Sequence, residues 1–321
     1  MIHRASALLV AAVAAAVFVR AANAQDAGHT QDESAQRAAG LSERVDIITP
    51  HITDSHEIEF PCLKPGFACH AELPRWKPIQ LWPGMYLDIS PTKHVVMLWI
   101  AGGLCLLVLL AAARVHRRPA DDRPPRGFAN GIEATVLYLR NEIILPNVGH
   151  HGDRFVPFIL TLFFFILFAN VLGLVPYGST ATGNISVTAM LAIVTFIVVE
   201  IAGMRALGRK YIGTIVFWPH DMPLAMKLPM TFIMTPVELL GKFTKPFALA
   251  IRLFANMTAG HVIVLALIGM IFTFGSYIVA PIPFLMAVAI MLLELFVAFL
   301  QAFIFALLSA VFIGQIREAA H

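Results

Sequence analysis

Five stretches of this chain are each long and apolar enough to cross a lipid bilayer, and that property fixes its class of fold. They run from Val95 to Ala113, Phe155 to Val175, Ile185 to Met204, Pro236 to Phe274 and Pro283 to Ile316. A spanning segment needs about 20 mainly apolar residues. Hydrocarbon offers no hydrogen-bonding partner, so each stretch is predicted to be an α-helix, which satisfies its own backbone. The expectation is an all-α integral membrane protein with about five transmembrane helices. A hydrophobic content of 58%, a charged content of 13% and a mean hydropathy of +0.76 lie outside the range of soluble globular chains. The formal charge of +3 is small for 321 residues and argues against a nucleic-acid partner. The last two stretches exceed a perpendicular crossing and are predicted to be strongly tilted or bent. Gly241 and Pro246 are the expected bend points in the fourth.

The N-terminus has the layout of a secretory signal peptide: Met1-Ile-His-Arg4, an apolar run from Ala5 to Val19, and the small-residue site Ala22-Asn-Ala24. Residues 1–24 are therefore expected to be removed, residues 25–94 to form an exported tail, and residues 95–321 to form the transmembrane domain. Arg20, between the run and the site, keeps an uncleaved first span as the alternative. Cys62 and Cys69 lie in the tail, where an oxidising compartment would allow one local disulfide; two free thiols are the alternative. Cys105 sits inside an apolar run and reads as a small buried hydrophobe.

Basic residues set the orientation, because cytoplasmic connections carry an excess of Lys and Arg. Seven lie between Arg114 and Arg154 and six between Arg205 and Lys245, whereas the loops 176–183 and 275–282 hold none. The tail is thus placed outside and the C-terminus, with Arg317, inside. An exported tail is what the signal peptide independently requires. Within the first basic connection, Ile132, Val136, Leu139 and Ile143 recur at helical spacing opposite Glu133, Arg140 and Glu142. This pattern predicts an amphipathic helix on the cytoplasmic membrane surface.

Chemistry concentrates in the last two spans. Between Leu253 and Leu293 the only titratable side chains are His261 and the phenol of Tyr277, bracketed by Arg252 and Glu294. Burying an Arg near mid-membrane costs from about 2.5 to more than 10 kcal/mol, so such residues line water paths or meet partner charges. At about 100° per residue, Glu238 and Asn256 each lie about 40° from Arg252, on one face, whereas His261 lies about 180° away. Glu294 and Gln301, seven residues apart, share a face of the fifth span. If the two spans form a hairpin turning near residue 278, His261 and Glu294 lie at one depth, and Arg252, Asn256 and Gln301 at another. His and Glu together can exchange protons near neutral pH. Arg252 cannot relay a proton, since guanidinium stays charged; its fixed charge can attract a partner's carboxylate and bar direct proton passage. Glu238 is a weaker case and Glu200 weaker still; a structural ion pair is the alternative for His261 and Glu294.

Other readings are less supported. His150-His151 and His220 lack companions at metal-ligand spacing, so no metal is expected. Gly241-Lys242 is no phosphate loop, because Pro236 replaces the first glycine and Phe243 the Ser or Thr. No nucleophile constellation is present, so the chain reads as non-catalytic and without a cofactor. An independent proton-coupled transporter or ion channel is the rival, but it would need broken-helix symmetry that the sequence lacks.

Arg252-Leu-Phe-Ala-Asn256-Met-Thr-Ala-Gly260-His261 and Leu300-Gln-Ala-Phe-Ile-Phe305 resemble the signatures of subunit a of F-type ATP synthases. Thr161-Leu-Phe-Phe-Phe165, Asn170-Val-Leu-Gly-Leu-Val-Pro176 and Pro236-Val-Glu-Leu-Leu240 extend the match over most of residues 85–317. The resemblance implies a multi-pass protein of the bacterial inner membrane that carries protons between two offset half-channels and the carboxylates of a c-subunit ring. It implies that Arg252 faces the ring, that His261, Glu294, Asn256 and Gln301 belong to the outer half-channel, and that Glu238 belongs to the cytoplasmic one. It further implies a long tilted hairpin against the ring, a b-subunit peripheral stalk and a soluble ATPase head as partners. The signal peptide and the long tail depart from the family pattern as expected here.

Overall fold

In the computed structural model of the chain, the described residues are 20–21, 54–61, 68–76, 79–82, 85–88, 90–116, 127–149, 152–175, 178–215, 223–274, 278 and 280–318. The signal-peptide cleavage site, Cys62, His150-His151 and His220 lie outside them, and so does the expected Cys62–Cys69 bridge. The fold is all-α in its membrane part. Its helices are α1 (Lys93–His116), α2 (Phe128–Tyr138), α3 (Leu145–Val148), α4 (Val156–Gly173), α5 (Ile185–Leu207), α6 (Leu224–Phe274) and α7 (Pro281–Glu318). Five of them, α1 and α4 to α7, are long and apolar enough to span a membrane.

Short strands precede α1: β1 (Arg20–Ala21), within the expected signal segment, and β2 (Glu57–Pro61), β3 (Ala68–Glu72), β4 (Ile79–Trp82) and β5 (Met85–Asp88) in the tail. β2 pairs with β3, and β5 lies between β1 and β4, all antiparallel. The tail is tied to the bundle by the Lys93 amide donating to Ser55 O at 2.9 Å and by His94 Nδ1 lying 2.8 Å from Asp54 Oδ1. Asn184, whose side chain caps α5 by accepting from the Ser186 amide, also donates towards Asp54 at 3.5 Å.

The structure changes two expectations. The fourth span begins at Leu224, not near Pro236, and runs 51 residues through Pro229, Pro236 and Pro246. At 1.5 Å per residue it is about 75 Å long. Each proline removes one backbone hydrogen bond, and the helical assignment continues across all three. The second change concerns the amphipathic segment, which holds a π-helix at Leu139–Ile144 between α2 and α3. The wide turn rotates the following residues, so the fully buried position after Leu139 is Ile144 and not Ile143. Ile132 is buried as the spacing predicts.

The core sits where α4 meets α7 and α1. Ile159, Leu162, Phe163 and Ile166 of α4 are fully buried, and Phe163 meets Phe164 and Phe299 edge to face. On α7 the buried face is a stripe of small residues at every fourth position: Ala298, Ala302, Ala306, Ala310 and Gly314. Small residues let helix backbones approach closely where lipid is as apolar as the side chains. The stripe ends at Gly314, where an added Cβ would collide with the backbone carbonyl of Asn147. Arg317 closes the same junction by donating to Val148 O at 3.2 Å and lying over the Phe155 ring. The surface segment α2–α3 is thus docked against the last turns of α7.

Gly314→Ala is expected to force α7 and α3 apart and to destabilise the subunit by about 1–3 kcal/mol. Thermal unfolding in detergent checks this against Gly103→Ala, whose added methyl meets nothing within 4 Å; equal melting of the two variants would contradict the packing argument.

Candidate functional site

The antiparallel pairing of α6 and α7 brings the predicted residues together in levels. At the level nearest the α6–α7 turn, a Cβ on Gly260 would lie 2.8 Å from Glu294 Cδ and 2.9 Å from its Oε1. The missing side chain of Gly260 is therefore what admits the Glu294 carboxyl between the helices. Glu294 is only 5% exposed, and its Oε1 has no hydrogen-bond partner among the described residues. His261, the next residue on α6, is half-buried with its Nε2 turned inside the protein.

One level further on, Asn256 Nδ2 donates to Gln301 Oε1 at 3.2 Å. Gln301 is 1% exposed, and its Nε2 has no protein partner among the described residues. Behind this pair stands Asn170 of α4, fully buried, which donates to Ala298 O at 3.3 Å and accepts from Thr182 Oγ1 at 2.7 Å. The sequence reading missed this pair. Asn170 lies in a motif quoted for its resemblance, but its 128-residue separation from Ala298 leaves no local pattern.

Arg252 lies one turn from Asn256 and is exposed, with no ion pair among the described residues. Along α6 it is flanked by Ala248, Ala255, Ala259 and Ala266, all exposed. The eight residues from Arg252 to Gly260 span about 12 Å, and the fourteen back to Glu238 about 21 Å on the other side. The carboxylates of Glu294 and Glu238 therefore lie at well-separated levels on either side of the guanidinium.

Glu238 borders a cavity of about 230 Å³ between α5, α6 and α7. Glu200, Lys242, Lys245 and Gln315 share its lining. Lys242 Nζ lies 3.5 Å from Glu200 Oε2 and donates to Thr214 Oγ1 at 3.1 Å. Lys245 Nζ donates to Gln315 Oε1 at 3.3 Å. A cavity of this size, with these charged groups set in an otherwise largely apolar lining, has room for several water molecules. Glu200, the weakest candidate by sequence, is thus an integral wall of the site. Among the described residues no three His, Cys, Asp or Glu side chains are grouped as a metal ion would need.

The family model of the ATP synthase A chain matches residues 95–314, which include all of these side chains except Gln315. The chain belongs to the ATP synthase A chain family. It is 45% identical over 274 residues to the ATP synthase subunit a of Chloroherpeton thalassium, covering 85% of this chain and 77% of that one. To the ATP synthase subunit a of Anaeromyxobacter dehalogenans strain 2CP-C it is 44% identical over 299 residues, 92% of this chain and 76% of the relative. To the ATP synthase subunit a 2 of Chlorobium luteolum it is 43% identical over 311 residues, 94% and 83% of the two chains. Membership of the ATP synthase A chain family agrees with five apolar helices and makes the chain a multi-pass component of the synthase membrane sector.

In an ATP synthase A chain built this way, Gly260→Ala should displace the Glu294 carboxyl and spare the helix pairing, because the obstructing atoms are the far end of a flexible side chain. Proton-driven ATP synthesis in membrane vesicles is expected to fall at least several-fold at an unchanged level of the subunit. Gly269→Ala, whose methyl meets nothing within 4 Å, should keep its rate; equal loss in both variants would refute the specific contact.

Proposed function

We propose that this subunit carries protons to and from a rotor ring through two separate aqueous paths that end on either side of Arg252. The observation that carries the reading is the exposed guanidinium of Arg252, without an ion pair among the described residues, one turn from the Asn256–Gln301 hydrogen bond and between two carboxylates at different levels. In the orientation given by the basic loops, the Glu294 level opens outwards and the Glu238 cavity opens to the cytoplasm.

A proton enters from outside, is exchanged between His261 and Glu294, and passes the Gln301–Asn256 pair to a carboxylate on the ring of c subunits. The buried atoms Glu294 Oε1 and Gln301 Nε2, with no protein partner among the described residues, suit a path in which water supplies the missing bonds. Neutralised, the ring carboxylate leaves the guanidinium for lipid, because a neutral group is far cheaper to place in hydrocarbon than a charged one. After nearly a full turn it reaches the cytoplasmic cavity and releases its proton towards Glu238. The exposed alanines beside Arg252 allow a ring helix to approach closely. Each elementary charge that crosses is worth about 2.3 kcal/mol per 100 mV, and the offset of the two paths makes that energy available only through rotation. The subunit forms no ATP itself; the soluble head does, and the b-subunit peripheral stalk holds the stator in place.

Arg252→Ala is expected to abolish coupled synthesis while the subunit still assembles with the ring. Proton-driven synthesis and subunit content measured together in vesicles check this; a normal rate would end the proposal.

The N-terminal assignment joins it: residues 1–24 are removed, and Cys62 and Cys69 are bridged in the exported tail. Mass spectrometry of the mature subunit should give a first residue near Gln25 and a mass two hydrogens short at the cysteine peptides. An intact Met1 end or free thiols would overturn the respective part.

A further inference from the structure

Glu238 and Lys242 stand four residues apart on α6 with the carboxylate N-terminal, the order in which a helical Glu and Lys attract each other best. Both line the same cavity, yet the pair is not made. Lys242 Nζ turns to α5 and the segment after it, meeting Glu200 Oε2 at 3.5 Å, Thr214 Oγ1 at 3.1 Å and the Tyr211 ring at 4.8 Å from its centroid. The side chains of Lys242 and Glu200 are only 13% and 16% exposed, so their attraction is weakly screened compared with a surface pair. The second lysine of the cavity, Lys245, is drawn to α7, where it donates to Gln315 and lies 5.1 Å from the Phe312 centroid. Glu238 itself makes no ion pair among the described residues.

We infer that Glu200 is a positioning residue of the cytoplasmic proton path, holding Lys242 on α5 so that Glu238 keeps an unpaired carboxylate able to take up and release protons. This rests on Glu238 being the inner proton acceptor. Four charged groups border the cavity: Glu200 from α5, and Glu238, Lys242 and Lys245 from α6; α7 contributes the neutral Gln315. With Glu200 in place, the ammonium of Lys242, one turn along α6 from Glu238, is committed elsewhere. Without it, Lys242 is free to swing along its own helix to Glu238, and an ammonium beside a carboxylate favours the ionised form. The bond that moves is a hydrogen bond only; no covalent step is involved.

The test uses vesicles carrying the whole synthase complex, with ATP-driven proton uptake followed as the pH of the cytoplasmic side is varied. Glu200→Gln should shift the alkaline limb of the uptake profile by about one pH unit towards acid, because the released ammonium then stands beside the acceptor carboxylate. Adding Lys242→Gln to Glu200→Gln removes the competing ammonium and should return the limb to its original position, which a merely structural role for Glu200 would not do. Should Glu200→Gln fail to assemble, Glu200→Asp carries the test with a smaller shift in the same direction. An unmoved profile in the assembled variant, or a shift that survives in the double variant, overturns the inference. Glu238→Gln separates the two levels of the argument. Undiminished uptake in Glu238→Gln overturns the inner-path reading itself, whereas its loss together with an unmoved Glu200→Gln profile overturns only the role of Glu200.

Discussion

The close contact of α7 with the bundle along Ala298, Ala302, Ala306, Ala310 and Gly314 decides how the rest of the site is arranged. In a membrane there is little hydrophobic gain from pairing helices, so their rotation is set by where backbones can approach and by which polar groups meet. The stripe fixes the azimuth of α7. Glu294 lies one turn before Ala298 and Gln301 just beside Ala302, so burying the stripe turns both polar side chains inwards towards α6 and α4. Asn170 reinforces the rotation by bonding Ala298 O, and the Gly314–Asn147 contact with Arg317 pins the far end.

Against this fixed α7, α6 presents two kinds of surface. One face supplies Gly260 and Leu253 to the interior, where Leu253 is fully buried, and Asn256 reaches Gln301 from its exposed edge. The other leaves Arg252 exposed among alanines. A charge with no ion pair among the described residues, on a helix otherwise fit for lipid, calls for a counter-charge or water. The cavity beside Glu238 has the opposite character, since its lysines are each engaged by a neighbouring element and the Glu238 carboxylate has no ion pair among the described residues. The polar interior and the exposed guanidinium are thus two sides of one helix whose charges are either committed or left uncommitted by the packing around them.

Much of this was legible from residue order. Long apolar runs give spans because hydrocarbon demands internal hydrogen bonding, and the helical repeat places Arg252, Asn256 and Glu238 on one side of α6. The symmetric distances of His261 and Glu294 from residue 278 give their common depth, and the structure sets Glu294 against Gly260, next to His261. Helix ends were less legible. The fourth apolar stretch reads from Pro236, yet its helix runs from Leu224 through Pro229 and Pro236. The π-turn at Leu139–Ile144 likewise moved a buried position by one residue without any mark in the spacing.

The sequence by itself determined the class of protein, the number of spans, the family and the rare polar side chains placed at depth, because each depends on local composition or on spacing along one helix. Tertiary structure alone decided which of those side chains meet. Asn170 reaches Ala298 across 128 residues, Glu200 reaches Lys242 across 42, and Lys245 reaches Gln315 across 70. Such pairings depend on the rotation and register of packed helices, which no single helix carries in its own residue order. Along α6 alone Lys242 stands one turn from Glu238, whereas the folded bundle gives Lys242 to Glu200.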